Sequence, residues 1–142
     1  MRFVQRILLA VLLLGLLGTG AELVLLNHVE KFAQWVPLVL IVLGLVAIGW
    51  HSMSHGRASG WAVQVLMFAF IFAGLAGFYL HFQGSAEFKL ESNPTLKGWE
   101  LFWAAMRSKA PPPLAPGVMI QLGLIGLAFV KLNQESQGGR DA

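Results

Sequence analysis

The sequence predicts an all-α membrane protein: a four-helix transmembrane bundle with an interfacial amphipathic helix between spans 3 and 4. Only 12% of the 142 residues are charged and 56% are hydrophobic, whereas soluble domains carry about 25% charged residues. Four apolar segments approach the length of about 20 residues that crosses a bilayer as a helix. We expect a single transmembrane domain over residues 1–132 and a disordered polar tail over residues 133–142.

The four predicted spans cover residues 6–27, 35–52, 61–82 and 114–132. The second span opens with Pro37, because a proline near the first turn of a helix loses little hydrogen bonding. A cleavable signal peptide is the alternative interpretation of the first span, since the small residues GTGA at 18–21 could form a cleavage site. The apolar run continues beyond that site, which favours a retained helix.

The connection between spans 3 and 4, residues 83–113, is the longest polar segment. We predict an amphipathic helix over about residues 95–109, ended by the three prolines at 111–113. Its apolar face carries tryptophans, and tryptophan is enriched where a membrane meets water. The residues predicted to lie at the membrane interface are Trp35, Trp50, Trp61, Trp99 and Trp103.

Four spans place both termini on one side of the membrane. Arg2 and Arg6 precede the first span, so the positive-inside rule predicts cytoplasmic termini. Counted over the whole chain, the ten basic residues divide five to each side, so the total count does not decide the orientation. We expect the lipid bilayer of a bacterial cytoplasmic membrane as the environment.

Composition excludes several functions. The chain has no cysteine, which excludes thiolate metal sites, Fe–S clusters and thiol redox catalysis. The net charge of +3 is spread thinly, so nucleic acid is not an expected partner. No nucleotide-binding loop, nucleophile elbow or zinc-protease motif is present, so the sequence does not predict an enzyme.

Glu22 is the most unusual residue within a span, because a carboxylate in a membrane normally faces the bundle interior and a partner. Tyr79, His81 and Gln121 are the candidate partners from other spans. Two interpretations remain open. One is a hydrogen bond that fixes helix packing, and the other is a ligand, proton or metal site.

A second set of polar residues is expected at the same membrane face. Imidazole and carboxylate groups suit Zn²⁺, Mn²⁺ or Fe²⁺, although such residues are also ordinary at a membrane surface. The candidate ligands are His28, Glu30, His81, Glu87 and Glu91. A haem held between spans 1 and 3 by His28 and His81 is a further hypothesis.

Two other patterns have a simple structural interpretation. His51 and His55 are four residues apart, so they form either a solvated helix end or a ligand pair, and we favour the solvated end. Small residues recur every four positions at Ala69, Ala73 and Gly77, which permits close approach of another helix. We favour packing within the chain over self-association for this stripe.

Residues 98–129, GWELFWAAMRSKAPPPLAPGVMIQLGLIGLAF, together with GTGAELVLLNHVE at residues 18–30, resemble a group of small bacterial four-span membrane proteins of unassigned function. The resemblance covers the amphipathic segment, span 4 and the end of span 1. It implies the fold and a bacterial membrane location, and it implies no activity.

The sequence favours a non-enzymatic accessory or scaffolding subunit of a bacterial membrane complex. Short loops, packing stripes and an aromatic-rich segment are typical of a protein that holds other subunits. The alternative is a divalent-metal-binding or metal-transport protein. A third hypothesis is a haem- or quinone-handling oxidoreductase subunit.

Overall fold

The computed structural model describes residues 2–27, 32–109 and 115–138, and in these ranges the chain is helical without strands. Its elements are α1 (Arg2–Leu25), α2 (Phe32–Ser54), α3 (Arg57–Ser92), α4 (Gly98–Met106) and α5 (Gly117–Gly138). α1, α2, α3 and α5 are long and apolar enough to cross a membrane. The all-α, four-span prediction is therefore confirmed.

The four long helices form an antiparallel bundle. α1 packs against α2 and α5, whereas α3 packs against α2, α5 and α4. α1 and α3 therefore lie on one diagonal of the bundle. The bundle has two ends: the corner end holds the α2–α3 connection and the start of α1, and the extension end holds the start of α5 and all of α4.

The α2–α3 contact is a regular apolar seam. The buried positions on α2 include Ile41, Gly44 and Ile48, and those on α3 include Val63, Met67 and Phe70. Both series alternate spacings of three and four residues, which keeps one helix face turned toward a neighbouring helix. Gly44 faces the Phe70 ring, which a Cβ on Gly44 would approach to 3.3 Å.

Glycines bring α3 and α5 into very close contact. A Cβ at Gly123 would lie 2.7 Å from the Met67 carbonyl oxygen, and one at Gly126 would overlap the Met67 sulfur. From the other side, a Cβ at Gly74 would lie 2.6 Å from Ile120. Backbones in a membrane gain dispersion energy when small residues let them approach. The α3–α5 seam is built on that effect.

α3 is longer than predicted. It continues through residues 83–92, which the sequence predicts to be a connection, and ends at Ser92. Gly77 faces Pro116, which is the residue before α5 begins. α3 continues for 15 residues beyond Gly77, so its end lies about 22 Å past the start of α5. We call residues 78–92 the α3 extension. Good helix formers such as Ala86, Glu87 and Lys89 support helix here.

α4 is shorter than the predicted amphipathic helix. An Asn93 side chain accepts hydrogen bonds from the backbone N–H and the hydroxyl of Thr95, at 3.2 and 2.7 Å. Such side-chain turns compete with helix. Gly98 has a φ of 51°, a left-handed conformation that suits glycine, so the helix starts there. It ends at Met106, before Arg107.

Aromatic rings hold α4 against the α3 extension. Phe102 stacks on Trp99 with ring centroids 5.0 Å apart, and it contacts Phe82 of α3 at 5.6 Å. Trp103 contacts Phe102 edge-on at 5.7 Å. Such pairs contribute roughly 0.5–1.5 kcal/mol beyond their buried area. We call Phe82, Trp99, Phe102 and Trp103 the aromatic cap.

The C-terminal segment is more ordered than expected. α5 continues to Gly138, so residues 133–138 are helical and do not form part of a disordered tail. The Gln5 amide of α1 donates to the Leu132 carbonyl at 2.8 Å and to the Ser136 hydroxyl at 2.9 Å. These tertiary hydrogen bonds stabilise the last turns of α5, which composition alone does not predict.

Candidate functional site

The corner end holds a compact polar site where α2 meets α3. Residues 51–59, which we call the α2–α3 corner, contain the last turn of α2, a tight turn and the first residues of α3. His55 has a φ of 51°, a conformation that is uncommon outside glycine, and it reverses the chain. The reversal brings the end of α2 against the start of α3.

A hydrogen-bonded network joins the two helices at the corner. The Ser59 hydroxyl donates to the Gly56 carbonyl at 2.9 Å and accepts from the Ser54 hydroxyl at 2.8 Å. Nδ1 of His51 lies 2.9 Å from the same Ser59 oxygen. Ser59 is only 1% exposed, so its oxygen organises a buried polar centre between the two helices.

His51 contradicts the favoured interpretation of a solvated helix end. Its side chain is 2% exposed, and its ring contacts Phe129 of α5 edge-on at 6.3 Å. His55 is exposed, as that interpretation requires. The pair therefore consists of one buried and one exposed imidazole, with ring centroids 6.3 Å apart.

The spacing of apolar residues could have identified the burial of His51. Ile41, Gly44 and Ile48 form the buried seam of α2, and the same spacing extended by three residues reaches His51. On α3 the seam similarly begins at Gly60. A Cβ at Gly60 would lie 3.4 Å from His51 Cε1, so the glycine leaves room for the imidazole.

Glutamine side chains continue the polar contacts across the corner end. The Gln64 amide of α3 donates to the Gln134 carbonyl oxygen of α5 at 3.4 Å. The Gln134 amide nitrogen also lies close to Gly60, 3.4 Å from where a Cβ would stand. Together with the Gln5 contacts, these bonds connect α1, α3 and α5 near the corner.

The structure does not gather the predicted intramembrane polar residues in the bundle interior. Glu22, Tyr79 and Gln121 all have exposed side chains. α1 and α3 lie on a diagonal of the bundle, which separates Glu22 from Tyr79. Glu22 is three residues from the end of α1. The headgroup region adds about 5–8 Å on each side of the hydrocarbon core, so a carboxylate at this position reaches it. Its functional role stays a prediction.

The predicted metal ligands are only partly within the described residues. His28 and Glu30 lie outside them. The second half of α3 carries the other three, His81, Glu87 and Glu91. His81 and Glu87 are about 9 Å apart along the helix axis and about 120° apart around it, so they do not share a helix face. Within the described ranges, no three His, Asp or Glu side chains come together as a metal site. The metal and haem hypotheses on these residues stay predictions.

The predicted interface and packing residues have clear positions. All five tryptophans predicted at the interface are exposed, and they lie near helix ends or on α4, where an interface position is expected. They are Trp35, Trp50, Trp61, Trp99 and Trp103. Gly77 of the small-residue stripe faces Pro116 of the same chain, which agrees with packing within the chain. Ala69 and Ala73 are partly buried.

The fold and the site define an all-helical bundle with four membrane-spanning-type helices, an extended third helix and a polar corner. No protein-family model matches the chain, and no curated protein or solved structure matches it. The resemblance to small bacterial four-span proteins therefore stays a prediction.

Proposed function

We propose that the protein is a non-enzymatic accessory or scaffolding subunit of a bacterial membrane protein complex. It would sit in the cytoplasmic membrane with cytoplasmic termini and would present the extension end on the outer side. The observation that carries the proposal is the α3 extension, which reaches about 22 Å beyond the start of α5.

The length of the extension exceeds what membrane anchoring requires. From Trp61 to His81, α3 already rises about 30 Å, which is the thickness of the hydrocarbon core. The aromatic cap begins at Phe82, at the level expected for headgroups. The rest of the α3 extension lies beyond that level.

Phe88 is the residue best placed to contact a partner protein. It lies 11 residues past Gly77, about 16 Å along the axis, and its side chain is 55% exposed. The Lys89 ammonium lies 5.9 Å from the Phe88 ring centroid. An exposed aromatic ring beside a charged group is typical of the anchors that protein interfaces bury.

The aromatic cap supports the same role. It docks α4 on the α3 extension by ring contacts, which restrict the movement of one helix relative to the other. Rigid surfaces lose less conformational entropy when a partner binds. The Arg107 guanidinium lies 5.7 Å from the Trp103 ring centroid and adds a cation at the cap edge.

Site-specific photo-crosslinking tests the proposal. A photoreactive phenylalanine analogue at position 88 should form an adduct with one polypeptide of defined mass in native membranes. The matched control is the same analogue at Phe72, which lies within the spanning part of α3 and is 67% exposed. It should give only lipid adducts.

A second measurement tests whether the Phe88 contact stabilises the complex. On a mild-detergent native gel, the wild-type protein should migrate as a complex with its partner. Phe88→Glu should remove this larger complex, whereas Phe72→Leu should leave it unchanged. If position 88 yields only lipid or water products and the protein always migrates alone, the scaffold proposal is wrong.

A further inference from the structure

His51 carries an unsatisfied ring nitrogen inside the protein. Its Nε2 atom is buried and has no hydrogen-bond partner among the described residues, although the ring as a whole is held by Ser59 and Phe129. Buried polar atoms in proteins are almost always paired, so an orphaned one requires an explanation such as a bound ion, water or ligand.

The network around Ser59 favours the neutral tautomer of His51 that carries its proton on Nδ1. Ser59 has one hydroxyl hydrogen, which it donates to the Gly56 carbonyl. Its oxygen accepts from Ser54, so Nδ1 of His51 completes the arrangement as a second N–H donor. In that tautomer, Nε2 has a lone pair and no hydrogen.

This arrangement is the one that metal-binding histidines show. Such a histidine donates its other ring N–H to a neighbouring acceptor, which fixes the ring and makes the free nitrogen a better ligand. At the corner, Ser59 supplies the acceptor for His51. Gly60 removes the side chain that would crowd Cε1 of the same ring.

His55 provides a second imidazole within reach. The ring centroids of His51 and His55 are 6.3 Å apart. Two imidazoles on opposite sides of one ion have ring centroids about 6 Å apart, because each metal–nitrogen bond is about 2 Å long and each centroid lies about 1 Å behind its nitrogen. The His55 side chain is exposed at the turn, where side chains change rotamer on the nanosecond timescale. Because Nε2 of His51 is covered in this arrangement, an ion from the aqueous side reaches it only when neighbouring side chains, His55 among them, change rotamer.

We propose that His51 and His55 bind one late transition-metal ion, with copper(II) held more tightly than zinc. Nε2 of His51 is the inner ligand, His55 is the outer ligand, and water completes the coordination. Imidazole nitrogens select copper, nickel and zinc over calcium or magnesium, which require oxygen ligands. No third His, Asp or Glu joins the pair in the described part of the chain, so the site has two protein ligands.

Ser59 acts as a positioning residue at this site. It does not contact the ion in the proposal, but its oxygen holds the His51 ring. Losing such an outer contact typically lowers metal affinity 10- to 100-fold. The proposed site lies at the opposite end of the bundle from Phe88, so the metal and scaffold proposals fail independently.

Copper titration of the full-length protein tests the site. The protein is purified in mild detergent through an affinity tag without histidine, stripped of metal and titrated with copper(II). Electron paramagnetic resonance should show one ion per chain with nitrogen couplings from two imidazoles. His55→Ala should remove one nitrogen and weaken binding at least tenfold, and His51→Ala should abolish the site. Ser59→Ala should weaken binding 10- to 100-fold with both imidazoles retained.

His81→Ala, at the extension end, should leave affinity and spectrum unchanged. If the wild-type protein binds no copper beyond buffer level, the proposal is overturned. It is equally overturned if His55→Ala leaves the spectrum and affinity as they were. Should His51→Ala fail to fold, the wild-type and His55→Ala spectra decide the question.

Discussion

Single glycines determine how closely the helices pack. At Gly123 a Cβ would lie 2.7 Å from the Met67 carbonyl oxygen and 2.6 Å from Ile71. Backbone atoms cannot move away as a side-chain end can, so the helices themselves would have to separate. Gly49 of α2 has no atom within 4 Å of its Cβ position, although it is the same residue type within a span.

This contrast gives the first prediction. Gly123→Ala should lower the free energy of unfolding by about 1–3 kcal/mol, the usual cost of overpacking. Gly49→Ala should be neutral or raise it by up to about 1 kcal/mol, because alanine is the better helix former. Thermal unfolding in one detergent compares the two. Equal effects would show that α3 and α5 are not in contact at Gly123.

The Ser59 hydroxyl is the second residue-level test. Ser59→Ala leaves the Ser54 hydroxyl, Nδ1 of His51 and the Gly56 carbonyl without their shared partner. Unpaired buried polar groups cost about 1–3 kcal/mol, so unfolding free energy should fall by about that amount.

The matched control for Ser59 is Ser52, an exposed serine on the same corner. Ser52→Ala should change stability by less than about 0.5 kcal/mol. A Ser59→Ala protein as stable as the Ser52→Ala protein would contradict the buried network. Thermal unfolding of both variants at one protein concentration gives the comparison.

At the level of elements, α4 depends on the ring of Phe102. That ring contacts Phe82, Trp99 and Trp103, and α4 has only nine residues. A helix this short is not stable in water without tertiary contacts. Its helical state is therefore coupled to its docking on the α3 extension.

Phe102→Ala should release α4 while the spans stay folded. Amide hydrogen exchange in residues 98–106 should become at least tenfold faster, with little change in α1, α2 and α5. Phe72→Ala is the control, because the Phe72 side chain is 67% exposed within the spanning part of α3. It should leave exchange in α4 unaltered. Unchanged exchange in the Phe102 variant would show that the ring does not hold α4.

Local sequence predicted some elements better than others. The spanning helices follow from apolar runs, since every backbone polar group in a bilayer has to be satisfied within a helix. The helical state of residues 83–92 was missed because the segment is polar and no apolar run marks it. It was decided by continuation from span 3 and by the contact of Phe82 with Phe102.

For the whole molecule, the antiparallel bundle places the corner end and the extension end at opposite ends of the four long helices. The chain has no cysteine, so single cysteines report accessibility without background. Ala58→Cys marks the corner end and Ser92→Cys marks the extension end, both at exposed positions. Leu14→Cys, in the middle of α1, is the lipid-facing control.

With cytoplasmic termini, a membrane-impermeant maleimide should label position 92 in intact cells and position 58 only in inverted vesicles. Position 14 should stay unlabelled in both. Reversed labelling would overturn the orientation and keep the fold, whereas labelling of 58 and 92 from the same side would overturn the bundle topology.

The sequence by itself determined the number of spans, their approximate limits and the aromatic segment before α5. These features depend on local composition, because the tendency of about 20 apolar residues to enter lipid as a helix is set by the segment's own residues. Only the tertiary structure decided that α1 and α3 lie on a diagonal, that Glu22 is exposed and that His51 is buried against Ser59. Such features depend on which helix faces meet, and that choice is made by contacts between residues far apart in the chain, such as Gly123 with Met67.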